Sequence, residues 1–75
     1  MNKLRRKEIA KAIELLEQAR EILEQVKDDE QDAFDNLPES FQYSERGEEM
    51  EDCIYTIEEF LDSLDTDELQ EIVGY

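Results

Sequence analysis

From Lys3 to Phe34 the chain runs 32 residues without a glycine or a proline. Within that stretch Ile9, Leu16 and Leu23 recur at one heptad position and Ala12, Ala19 and Val26 at another, with Ile13, Leu15 and Ile22 beside them. Ala, Leu, Glu, Gln, Lys and Arg fill most of the remainder, and all of them favour a helix. The spacing predicts one helix over about 3–34, about 45 Å long. Glu8 with Lys11, Glu17 with Arg20 and Glu24 with Lys27 stand acid before base, three residues apart, and are expected on its outer face.

Residues 35–44 are expected to form the connection. Pro38 lacks the amide hydrogen a helix needs, and Asn36, Ser40, Ser44 and Gly47 form turns and caps. Phe34, Leu37 and Phe41 are spaced to fold back over the open end of a helix pair. Ser44 can cap a second helix over about 45–64, with Glu45, Glu48 and Glu49 at the positive end of its dipole. The apolar stripe there is Met50, Cys53, Ile54, Ile57, Phe60, Leu61 and Leu64. Asp65 or Thr66 can cap a short helix over about 66–73 that carries Leu69, Ile72 and Val73 and ends at Gly74. The fold class is therefore all-α: one domain over residues 1–75, an antiparallel helical hairpin with a short C-terminal helix.

The charge is lopsided. Of 23 acids and 8 bases, residues 1–27 hold seven bases and five acids, and the rest of the chain holds one base, Arg46, and eighteen acids. Such acidity could leave a chain disordered, but the helical apolar spacing argues for a packed hairpin. A hairpin closing at residues 34 and 44 would set Leu64 level with about residue 14 and Val73 with about residue 5. Asp65, Asp67, Glu68 and Glu71 would then meet Lys3, Arg5, Arg6 and Lys7 as internal counter-charge. The third helix would cover Leu4 and Ile9, and the rest of the wide apolar arc on helix 1 predicts a homodimer. Two hairpins would form a four-helix bundle through Ile9, Ile13, Leu15, Leu16, Ile22 and Leu23.

Chemistry is sparsely signalled, and no enzymatic activity is expected. There is no histidine to activate a nucleophile, and Cys53 on the apolar stripe reads as a small buried hydrophobe. Gly47 and Gly74 alone cannot build a phosphate loop. The run Asp28, Asp29, Glu30, Asp32 lacks the glycine and distal glutamate of a calcium loop, so no metal and no cofactor are expected. A formal net charge of -15 disfavours direct binding of nucleic acid. No stretch approaches about 18 apolar residues, and the basic start leads into no apolar secretion segment. The expectation is no membrane partner and a cytoplasmic location.

The acidic surface remains. Glu48, Glu51, Asp52, Glu58, Glu59 and Asp62 fall on the outward side of helix 2, in rows about 5 to 6 Å apart. Charge of this kind is often only solubilising, but a small domain needs a net charge of about 2 to 8 for that purpose. Phe34, Phe41 and Phe60 read as core, and Tyr43 and Tyr55 as half-buried side chains or interface anchors.

The stretch AFDNLPES at 33–40, followed by SERGEEMED at 44–52 and preceded by a basic amphipathic helix, resembles a group of short acidic proteins encoded in phages and prophages of Gram-positive bacteria. The resemblance covers about residues 1–64 and transfers a context without catalytic residues. It implies action in a bacterial host cell; in that context the size and acidity of the chain lead to the expectation of a non-enzymatic inhibitor that mimics nucleic acid. The expected partner is a basic surface on a nucleic-acid-handling protein, of anti-CRISPR or anti-restriction type. Glu48, Glu51, Asp52, Glu58, Glu59 and Asp62 would be the contacts and Tyr55 the anchor. The alternative is a structural or assembly factor that binds a partner helix through its apolar face.

Overall fold

A computed structural model describes residues 1–74, and every regular element among them is helical. Helix α1 spans Lys3–Asp35, α2 Glu39–Gln42, α3 Glu45–Ser63 and α4 Asp67–Val73. The long and middle helices lie within two residues of the expected bounds. The turn of helix α2 inside the connection was not foreseen. The molecule is a rod with Cα extents of 58 × 15 × 13 Å.

The ends are capped by short side chains. Asn2 Oδ1 accepts from the Arg5 amide at 2.9 Å and starts α1. Ser44 Oγ accepts from the Gly47 amide at 3.4 Å and starts α3, as its position suggested. At α4 the two candidate caps divide the work. Asp65 Oδ1 accepts from the Asp67 amide at 2.9 Å, while the Thr66 hydroxyl turns inward and donates to Glu17 Oε1 at 2.8 Å.

The corner is tied by backbone and by Gln42. Pro38 precedes α2, and its carbonyl accepts from the amides of Phe41 and Gln42. The Gln42 side chain donates to the carbonyls of Phe34 and Leu37, both at 3.2 Å, which locks the end of α1 to the turn. Gly47 lies buried in the first turn of α3, so it is an inner contact and not the turn former its residue type suggested. A Cβ there would stand 2.7 Å from the Phe41 carbonyl oxygen and closer still to that of Gln42.

Helix α1 packs on α3 and α4, and the seam differs from the one the heptads suggested. Its sheltered residues are Arg6, Ile9, Ile13, Leu16, Arg20, Leu23, Lys27, Glu30 and Phe34, which alternate in steps of three and four, with Glu17 beside them. Ala12, Ala19 and Val26, expected in the seam, are exposed. On α3 the same alternation runs Gly47, Met50, Ile54, Ile57 and Leu61 and continues to its C-cap Leu64, with Ile54 and Leu61 the buried large apolar side chains among the described residues. Bulk decides this. The inner seam can hold large branched side chains wherever α3 offers its own, and it leaves the alanines outside.

Arg20 corrects a further expectation. Its pairing with Glu17 exists, at 3.6 Å, but it lies between helices instead of on the outer face. The guanidinium crosses to α3, donating to the Leu61 carbonyl at 3.5 Å and to the Leu64 carbonyl. It thereby caps the negative end of α3 with a cation. Leu64 therefore stands level with Arg20 instead of with residue 14. The extra turn α2 occupies the corner, so the opening turn of α3 packs on α2 and not on α1.

At the other end α4 lies beside α1, and Val73 shares a shallow groove with Lys3, Arg6, Lys7 and Ala10. The chain's two ends do meet. Yet Arg20–Glu17 is the sole ion pair among the described residues, so Lys3, Arg5 and Lys7 do not pair with Asp65, Asp67, Glu68 or Glu71. Leu4 also stays exposed, because α4 shelters only the Ile9 side of the helix. Phe41, Phe60 and Cys53, expected in the core, are exposed as well. Cys53 and Phe60 sit one position outside the seam that Ile54 and Leu61 occupy.

Candidate partner-binding face

All seven residues expected to bind a partner, Glu48, Glu51, Asp52, Tyr55, Glu58, Glu59 and Asp62, are exposed on α3. Glu48, Asp52, Tyr55, Glu59 and Asp62 follow steps of four and three, which makes one continuous outward row along the helix. Glu51 and Glu58 stand between that row and α1. From Glu48 to Asp62 the axis rises about 21 Å across six acids, a mean step of about 4 Å. One strand of DNA carries a phosphate about every 3.4 Å of axis.

In an antiparallel helix pair, like flanks face each other across the seam. On one flank Glu24 of α1 and Glu58 of α3 border a shallow, open depression with Arg20, Lys27, Leu61 and Asp62. Glu14, Glu21 and Asp28 lie outside Glu24 on the same flank and are exposed. The acidic face is therefore two helices wide. The α1 half is not legible in the sequence, because the apolar positions of α1 span so wide an arc that they do not say which flank faces outward. Arg20 and Lys27 offset the acids near the seam, so the row farthest from them, Glu48–Asp52–Tyr55–Glu59–Asp62, carries the strongest uncompensated charge.

The opposite flank is apolar. It sets Ala12, Leu15, Ala19, Ile22 and Val26 of α1 alongside Cys53 and Phe60 of α3. Of the six residues expected at a dimer interface, Ile9, Ile13, Leu16 and Leu23 lie in the sheltered seam of the single chain, and Leu15 and Ile22 remain exposed. Tyr43, the other candidate anchor, is exposed at the corner, away from the acidic row.

No group of three His, Cys, Asp or Glu side chains among the described residues is arranged to hold a metal ion. No helix among them is long and apolar enough to cross a membrane. Comparison with protein families, with curated proteins and with solved structures finds no match. The function must be read from the two faces alone.

Proposed function

We propose that this chain is a non-enzymatic binding module whose acidic flank occupies a positively charged surface of a nucleic-acid-handling protein in a bacterial host cell. The reading is of a phage-encoded decoy, of anti-CRISPR or anti-restriction type. The observation that carries it is the exposed side of α3, where six acids, four of them in the outward row with Tyr55, stand at a spacing close to that of backbone phosphates. A basic cleft shaped for a phosphate backbone would meet matching charge on a rigid rod that needs no reshaping. Steering by a field of this size raises the rate of encounter with such a cleft.

The test is capture from a nuclease-treated Gram-positive host lysate at about 50 and about 500 mM salt, where screening separates charge from apolar contact. One basic nuclease or defence protein should be retained at low salt and released at high salt. The variant Glu48→Gln/Glu51→Gln/Asp52→Asn/Glu59→Gln should weaken its binding about 100-fold, at about 0.7 kcal/mol per exposed charge, with helicity unchanged. Binding unaffected by the four amides would sink the decoy reading. Salt-resistant capture through the apolar flank would point instead to the assembly role.

A further inference from the structure

The apolar flank carries an inference that does not rest on the decoy reading. Leu15, Ile22, Val26 and Phe60 are 56%, 64%, 47% and 53% exposed and lie along one side of the rod. A monomer seldom leaves a contiguous row of large apolar side chains in water. We propose that a second copy of this chain covers this flank, with α1 packed antiparallel on the partner's α1 about a two-fold axis at Ala19.

Two observations specify this occupant and this direction. First, Ala19 is the midpoint of α1, which runs Lys3–Asp35, and the exposed apolar residues are distributed about it almost symmetrically. Antiparallel packing through Ala19 sets Ala12 opposite the partner's Val26 and Leu15 close to the partner's Ile22. Alanine meeting alanine at the axis lets the two backbones approach closely while the larger side chains interleave on either side.

Second, the charges agree. Lys3, Arg5 and Lys7 find no ion pair among the described residues of their own chain, while Asp29, Asp32 and Asp35 crowd the far end of the same helix. Lys7 and Asp29 border the apolar flank on the same edge, and the antiparallel arrangement brings each Lys7 beside the partner's Asp29. A parallel pair would stack bases on bases and acids on acids. The acidic flank lies on the opposite side of the hairpin, so the two acidic faces point away from each other and repel least.

The experiment uses the full chain and its single cysteine. Sedimentation at low micromolar concentration should show a dimer. Ala19→Lys should raise the dimer dissociation constant at least about 100-fold with helicity unchanged, because residue 19 is exposed in the single chain. The substitution makes each chain less acidic, so general repulsion cannot explain the loss. A nitroxide on Cys53 reports direction. Cys53 stands level with about residue 31 of α1, so an antiparallel dimer separates the two labels by about 35 Å, from about 24 residues of helical rise. A folded monomer, a dimer indifferent to Ala19→Lys, or labels closer than about 25 Å would each overturn the proposal.

Discussion

Gly47→Ala should lower the melting temperature by about 10 °C, a loss of about 2 kcal/mol in a domain of this size. The sign is what makes the experiment informative. Inside an ordinary exposed helical turn, alanine is more favourable than glycine by about 0.8–1.0 kcal/mol, so a neutral environment predicts a gain in stability. Here the new methyl group would meet the carbonyl oxygens of Phe41 and Gln42. Neither can yield easily. Phe41 accepts from the Ser44 amide and hydroxyl, and Gln42 is held by its own bonds to Phe34 and Leu37. The methyl can be accommodated only by moving α2 off α3, which unpacks the corner. A variant as stable as the parent at the same protein concentration would mean that the corner is looser than described.

Arg20→Met should be similarly damaging, at about 2–3 kcal/mol, and should lower the urea midpoint by about 2 M. Methionine keeps the apolar stem in the seam but removes the guanidinium. The Leu64 carbonyl then loses the guanidinium, the Leu61 carbonyl keeps only the Leu64 amide, and Glu17 loses its cation where it faces Thr66. Glu17→Gln alone should cost less than about 1 kcal/mol, since the amide oxygen can still accept from Thr66. In the double variant the Glu17 change should relieve part of the Arg20 loss, because no carboxylate is left without its partner. Additive losses would show that the two side chains do not act as one unit. Urea titration at fixed protein concentration reads all three variants.

Much of the hairpin could be read directly from residues. The uninterrupted run from Lys3, the proline at 38, Ser44 before a cluster of glutamates and the Asp65–Thr66 stop are local signals, and each marks an end within a residue or two. The seam could not be read this way. Helix α1 carries two overlapping three-four patterns, one through Ile13, Leu16 and Leu23 and one through Ala12, Leu15, Ala19, Ile22 and Val26. The second is the more uniformly apolar, and a count of hydrophobic positions prefers it. What selects the first is tertiary: the partner stripe on α3, and a guanidinium long enough to reach the carbonyls at its end. Arg20 looked like a surface charge because its partner residues lie more than forty positions away. On α3 the stripe from Met50 to Leu64 is likewise wider than the seam, so Cys53 and Phe60 read as core although they lie one position outside it.

The hairpin also sorts charge by position along the rod. Residues 28–55, which make up the end containing the corner, hold eleven acids against one base. The other end brings the basic start of α1 beside α4 and is much closer to balance. A single hairpin is therefore an electric dipole about 58 Å long. In the field of a basic surface a single hairpin would turn its corner toward that surface, whereas the antiparallel pair proposed above would cancel the dipole along the rod.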